Sequence, residues 1–198
     1  MNLIIRILLL SGILIASTFS SFSQETNYTN ERFVIVLDVQ QFWTDNSLKP
    51  KAAEEMLRSI NAVIEKTNPD KIIYIKSSGE SAVLSISLKG VKKKTFTANE
   101  FDKSLKIVSN IIFEKTEGDA FTVKEMTHIF ETNNAKEIII TGLLAEECVY
   151  KTVLGGISRN YTIYLVPDAI GGKSEKSKKK ALTKLVKAGA NTITPDNL

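Results

Sequence analysis

The sequence contains a single cysteine, Cys148, among its 198 residues. One cysteine cannot form an intramolecular disulfide, so an apolar core must hold the domain together, and a chain of this length can build one. Cys148 is therefore either a buried filler or a reactive thiol. The surrounding residues decide between these two interpretations.

The sequence also lacks a strong excess of charge, since its net charge is only +4. Its two basic clusters, residues 92–94 and residues 178–180, are not interleaved with the aromatic residues typical of a nucleic-acid surface. We interpret them as a solvated loop and a solvated helix face, and we expect no nucleic-acid partner. With 43% hydrophobic and 24% charged residues, the composition is that of one ordinary globular domain.

The N-terminal segment differs from the rest of the chain. An apolar run over residues 7–19 is followed by Ser21-Phe22-Ser23, which offers small residues for a signal peptidase. The run is short for a membrane span, so a cleaved signal peptide over residues 1–23 is favoured over an uncleaved anchor. We therefore expect an exported protein, periplasmic or extracellular, without stable membrane insertion. A polar lead-in over residues 24–32 precedes the domain at residues 33–198.

Apolar runs and amphipathic patterns alternate along this domain. Residues 33–37 (FVIVL) are continuously apolar and end at Asp38, which is typical of a strand buried on both faces of a parallel sheet. Residues 82–88 predict a half-exposed strand or hairpin arm, and residues 98–105 predict a short helix. The other predicted strands cover residues 71–76, 110–115, 137–141, 162–166 and 190–194, and the other helices cover residues 50–68, 122–132, 146–158 and 174–187. The alternation predicts a three-layer α/β/α fold with a six-stranded, mostly parallel, doubly wound sheet.

Three chemically active side chains fall at or just after the carboxyl ends of predicted strands, where ligands bind in open sheets. Asp38 and Lys115 end two strands, and Cys148 follows a third at the first turn of a helix. A helix N-terminus and a cation both lower the pKa of a thiol, so we expect Lys115 to favour the thiolate and Asp38 to act as general base. Backbone N–H groups of residues 142–148 would face a developing oxyanion. This set predicts a covalent amidase site, with Lys76 as an alternative to Lys115.

Four segments resemble, in order, the signature blocks of the isochorismatase-like cysteine hydrolases: VIVLDVQQF (residues 34–42), FEKTEGDAF (113–121), IITGLLAEECVYKT (139–152) and LVPDAIGG (165–172). The resemblance implies a hydrolase domain over residues 33–198 with the fold predicted above. By matching positions, it implies that Asp38, Lys115 and Cys148 are the catalytic residues. The block around residue 115 favours Lys115 over Lys76.

The resemblance implies further features of the site. It places a cis peptide bond at Leu143-Leu144 and an oxyanion hole at the N–H groups of Leu144 and Cys148. It implies a homo-oligomer that needs no cofactor. Nicotinamidases of this family bind a metal through an aspartate and two histidines, and the one histidine here, His128, cannot supply that set. We interpret His128 as a structural or surface residue.

Several features leave alternatives open. Phe42 and Trp43 would either wall the substrate pocket or pack in the core. Glu146 stands where the family usually has Asp or Asn, and residues 77–106 match no family segment. The first turn, DVQQFW, has no glycine, which argues against a dinucleotide site. The sequence thus predicts an exported cysteine hydrolase that cleaves a C–N bond of a small amide or carbamoyl compound, with a non-catalytic binding protein of the same fold as the alternative.

Overall fold

The computed structural model describes residues 28–78 and 100–198 in full, together with the backbone of residues 81–87 and 90–96. The strands are β1 (Phe33–Leu37), β2 (Ile72–Ser77), β3 (Ser81–Ser87), β4 (Gly90–Phe96), β5 (Ile112–Lys115), β6 (Glu137–Gly142), β7 (Thr162–Ile170) and β8 (Asn191–Thr192). The α-helices are α1 (Gln41–Ser47), α2 (Pro50–Lys66), α3 (Lys124–Thr132), α4 (Cys148–Ser158) and α5 (Glu175–Lys187). Within these described ranges, no helix is long and apolar enough to cross a membrane. The predicted signal peptide lies outside the described residues.

Six strands form one parallel sheet in the order β5-β2-β1-β6-β7-β8, which confirms the predicted fold. β1 lies near the centre, and β2 separates it from β5. β3 and β4 form a separate antiparallel hairpin, which confirms the predicted hairpin arm. The basic cluster at residues 92–94 lies in β4, so the prediction of a loop there was wrong.

The sheet is covered by helices on both faces, because its central strand β1 is apolar at every position and β2 and β6 are largely apolar. All five residues of β1 are buried. On one face the strand side chains pack with Met56, Ile60 and Val63 of α2. On the other face they pack with residues of α3, α4 and α5, among them Phe130 and Val153. Burial of this kind contributes about 25 cal/mol per Å² of apolar surface, so the core, without any disulfide, is the main source of stability.

Two local predictions differ from the structure around the first turn. The described part of the predicted helix at residues 98–105 is irregular, and α1, which was not predicted, follows β1 instead. The two segments hold each other, because the Thr44 hydroxyl of α1 donates to the buried carboxylate of Asp102 at 2.6 Å and the Asp102 N–H donates to the Val39 carbonyl at 3.0 Å. Tertiary contacts rather than local sequence therefore decide the conformation here.

Candidate active site

Asp38 lies at the carboxyl end of β1, where the chain leaves the sheet. Its backbone adopts a left-handed conformation, with φ at 57°, and its N–H donates to the Ile75 carbonyl of β2 at 2.9 Å. Aspartate tolerates this conformation better than most residues. The turn directs a buried carboxylate over the ends of the neighbouring strands.

Lys115 meets this carboxylate although it comes from a strand that is not adjacent to β1. Its Nζ lies 2.9 Å from Asp38 Oδ2, and the two side chains are only 1% and 5% exposed. The same Nζ donates to Cys148 Sγ at 3.4 Å. Cys148 is the first residue of α4 and is half-buried. The structure thus brings the three predicted residues into one cluster.

Lys76 and His128, two other polar residues considered in the sequence analysis, do not belong to this cluster. Lys76 projects from the opposite face of β2 relative to Ser77, and its Nζ sits 4.5 Å from the centre of the Phe101 ring in a cation–π contact. His128 is exposed on α3, in agreement with a surface residue. Within the described ranges, no three His, Cys, Asp or Glu side chains are grouped so that they could hold a metal ion.

Ser77 is part of the cluster, and sequence reasoning missed it. Its hydroxyl donates to Asp38 Oδ1 at 2.8 Å and accepts from Lys115 Nζ at 2.9 Å. The predicted strand ended one residue earlier, at Lys76, and Ser77 began the segment, residues 77–106, that matches no family segment. The only sequence signal was a small hydroxyl residue directly after an apolar strand, and that is common in proteins of every function.

The loop between β6 and α4 contains Leu144 and leads to Cys148, the two residues predicted to form an oxyanion hole. The peptide bond between Leu143 and Leu144 is cis, as the resemblance implied. The loop is anchored at two points, since the Leu143 N–H donates to the Leu37 carbonyl and the Ala145 N–H donates to the Gly171 carbonyl. Among the hydrogen bonds of the described residues, none uses the N–H of Leu144 or Cys148 as a donor. Both N–H groups are therefore without an acceptor among the described residues.

The Cys148 thiol has a pKa that is raised to about 11, which contradicts the lowered value expected from the sequence. Burial is the largest cause, because desolvation disfavours the thiolate. The negative charge of Asp38 raises the pKa further, and the Lys115 ammonium lowers it but does not compensate. Cys148 is thus a neutral thiol near pH 7.

Because the charges of Asp38 and Lys115 shift the thiol pKa in opposite directions, removing each charge is expected to change the rate of Cys148 alkylation by iodoacetamide in opposite directions. Asp38→Asn removes a charge that disfavours the thiolate, so labelling at pH 8 is expected to become about tenfold faster. Lys115→Met removes the favourable charge, so labelling is expected to become slower. The measurement is the labelling rate of the folded protein from pH 7 to 11, followed by mass spectrometry. Equal rates in all three proteins would show that neither charge acts on the thiol.

Glu146 has a structural role outside the cluster. Its Oε1 accepts from the Lys173 N–H at 2.9 Å and from the Ser177 hydroxyl at 2.9 Å. Ser177 also belongs to the capping box at the start of α5. The carboxylate therefore connects the loop before α4 to the positive end of the α5 dipole.

Phe42 and Trp43 both lie on α1, directly after the turn that holds Asp38. Their rings meet edge to face with centroids 5.1 Å apart. Trp43 is partly buried and packs against the apolar cluster beneath α2. This favours the packing role that the sequence left open for Trp43, and a role in substrate binding stays a prediction for both residues.

The fold and this cluster define the chain as an α/β protein with a polar site at the carboxyl edge of its sheet. The isochorismatase domain matches residues 32–196, so the chain belongs to the isochorismatase family of hydrolases.

Individual relatives agree with this assignment at low sequence identity. The secreted isochorismatase effector Isc1 of Verticillium dahliae is 22% identical over 149 residues, which span 75% of this chain and 76% of that protein. N-carbamoylsarcosine amidase from Thermoplasma acidophilum superposes with a TM-score of 0.67 at 19% identity, over 85% of this chain and 99% of that chain. The YcaC protein of Escherichia coli, described as an octameric hydrolase of unknown specificity, superposes with a TM-score of 0.62 at 17% identity, over 87% and 78% of the two chains. At these identities the structural matches establish the fold alone.

Proposed function

We propose that this protein is an exported cysteine hydrolase that cleaves a C–N bond of a small amide or carbamoyl compound. One observation carries the proposal. A single buried ammonium, that of Lys115, lies 2.9 Å from the Asp38 carboxylate and 3.4 Å from the Cys148 sulfur. An acid, a cation and a thiol at these distances provide a general base, a counter-charge and a nucleophile. No cofactor is needed for this chemistry.

The reaction proceeds through a thioester in two steps. Cys148 Sγ attacks the carbonyl carbon while its proton passes to Asp38, and the N–H groups of Leu144 and Cys148 stabilise the oxyanion. The C–N bond then breaks, and the departing ammonia or amine takes the proton back from Asp38. In the second step a water molecule gives a proton to Asp38 and attacks the thioester. The acid product leaves, and the proton returns to the Cys148 sulfur.

The raised thiol pKa supports a base-assisted attack. A thiol with a pKa of about 11 is almost fully protonated near neutral pH, so nucleophilic attack requires removal of the proton in the same step. Asp38 is the charged acceptor that acts on this thiol. The rate of hydrolysis is therefore expected to depend on Asp38 even though its charge disfavours the free thiolate.

Export and assembly rest on separate observations. The predicted signal peptide at residues 1–23 supports export, and one relative, Isc1, is described as secreted. The YcaC protein, described as octameric, supports a homo-oligomer of this chain. Signal cleavage would appear as a mature N-terminus at Gln24 in protein recovered from outside the cytoplasm.

The test is ammonia release from a panel of small amides and carbamoyl compounds by the mature protein. We expect hydrolysis of at least one compound, a covalent acyl adduct on Cys148 when the reaction is quenched with acid, and neither in Cys148→Ala. His128→Ala is the matched control, because His128 is exposed on α3 and is expected to leave turnover unchanged. Binding of a panel compound without turnover or adduct would favour the alternative, a non-catalytic binding protein.

A further inference from the structure

We propose that Ser77 is a positioning residue that holds the Asp38–Lys115 pair in the geometry required for attack by Cys148; this inference rests on the function proposed above. The Ser77 hydroxyl donates to Asp38 Oδ1 at 2.8 Å and accepts from Lys115 Nζ at 2.9 Å. One hydroxyl group therefore joins both charged side chains, which come from strands that are not neighbours in the sheet.

The strand order explains why a small hydroxyl residue stands at this point. β2 lies between β1 and β5, and Ser77 is the partner of Lys115 in the ladder between β2 and β5. The Lys115 side chain must pass over the end of β2 to reach Asp38. A long side chain at position 77 would occupy that path, whereas a residue without a hydroxyl would leave the two charges without a common partner.

Ser77 is itself fixed by Gln40, which is fully buried. The Gln40 side-chain amide donates to the Ser77 carbonyl at 3.1 Å, and its oxygen accepts from the Ser77 N–H at 2.9 Å. These two bonds hold the main chain of Ser77, so the hydroxyl projects from a rigid strand end. Gln40 follows Asp38 by two residues, so the turn that carries the carboxylate also fixes the residue beside it.

This arrangement determines how the carboxylate is used. Ser77 donates to Asp38 Oδ1, whereas Asp38 Oδ2 lies beside the ammonium that also contacts Cys148 Sγ, so Oδ2 is the oxygen that would accept the thiol proton. The Lys115 ammonium has three N–H groups, and its described polar neighbours are Asp38 Oδ2, Ser77 Oγ and Cys148 Sγ. Ser77 does not itself contact the sulfur in this network. It acts through Asp38 and Lys115.

The first test compares turnover in Ser77 variants on whichever amide the wild type hydrolyses. Ser77→Ala is expected to lower kcat about 10- to 100-fold with KM nearly unchanged, because a misplaced catalytic group costs rate rather than affinity. Ser77→Thr keeps the hydroxyl and is expected to retain most of the activity, whereas the isosteric Ser77→Val is expected to lose it. Ser78→Ala is the matched control, since the Ser78 hydroxyl lies 3.5 Å from the Lys115 carbonyl rather than from its ammonium. Equal losses in Thr and Val variants, or full activity in Ser77→Ala, would overturn the inference.

The second test needs no substrate. In Ser77→Ala, Lys115 loses a tether that keeps its ammonium beside the Cys148 sulfur, and a more distant ammonium favours the thiolate less. Alkylation of Cys148 at pH 9 is therefore expected to slow severalfold relative to wild type and Ser78→Ala. A merely structural role predicts the opposite, because a loosened site would admit water and speed labelling. Unchanged or faster labelling would contradict a positioning role.

The two tests separate this inference from the proposed function. If the wild type hydrolyses no amide, the proposed function fails, and slower labelling of Ser77→Ala would still show that Ser77 controls the thiol through the charged pair. If the wild type is an active amidase and Ser77→Ala matches it in both turnover and labelling, only the role of Ser77 is refuted.

Discussion

Replacing Lys115 with methionine is expected to lower the free energy of unfolding by about 3–5 kcal/mol, because it leaves the buried Asp38 carboxylate without its counter-charge. The two side chains are only 1% and 5% exposed, so water cannot take the place of the lost ammonium. Methionine keeps the aliphatic length of lysine, so little of the loss comes from packing. The measurement is urea-induced unfolding at pH 7, followed by circular dichroism.

Two comparisons identify the charge as the cause. In the double variant Asp38→Asn/Lys115→Met no charge is stranded, so we expect it to recover much of the stability that Lys115→Met loses. Lys51→Met removes an exposed ion pair with Glu55, where the two side chains are 87% and 54% exposed, and is expected to cost well under about 1 kcal/mol. If Lys115→Met behaved like Lys51→Met, the Asp38–Lys115 pair would have to be accessible to water in solution.

The fold and the charged cluster could be predicted because both depend on patterns that are local in sequence. Continuous apolar runs identify strands buried on both faces, and their alternation with helices makes the sheet parallel. In a parallel sheet all strands end at one edge, so Asp38 and either Lys76 or Lys115 could be assigned to the same site, and the family resemblance favoured Lys115. The structure places Lys115 Nζ against both Asp38 and Cys148, as that reasoning required.

The remaining features depend on contacts that no short stretch of sequence contains. Ser77 lies in the site because β2 is placed between β1 and β5. The order of strands in a sheet cannot be read from any short stretch of sequence. The pKa of Cys148 was predicted in the wrong direction because the helix terminus and Lys115 were visible, while burial of the thiol was not. Helix α1 has seven residues, too few to show a clear period, and part of its support comes from Asp102, which lies far along the chain.

Gly142 is the residue at which a single added methyl group is expected to lower the free energy of unfolding most. It ends β6, and its φ of 110° is a conformation that residues with a side chain rarely adopt. A Cβ atom there would lie 2.0 Å from the carbonyl oxygen of Leu37, its partner in the central strand β1. That oxygen accepts a hydrogen bond from the Leu143 N–H at 3.0 Å, so a shift of either strand would also disturb the loop that leads to Cys148.

Gly142→Ala is therefore expected to cost about 5 kcal/mol or more, which is comparable to the whole stability of many domains. Gly189→Ala separates the two causes, because Gly189 has an almost identical φ of 111° and nothing within 4 Å of its added Cβ. It carries only the backbone strain, about 1–3 kcal/mol. Urea unfolding of both variants measures the difference, which is the cost of the close approach between β1 and β6. If both variants lost the same unfolding free energy, β1 and β6 could move apart at Gly142 at little cost. The close approach of these two strands would then not be what holds Asp38 near Cys148.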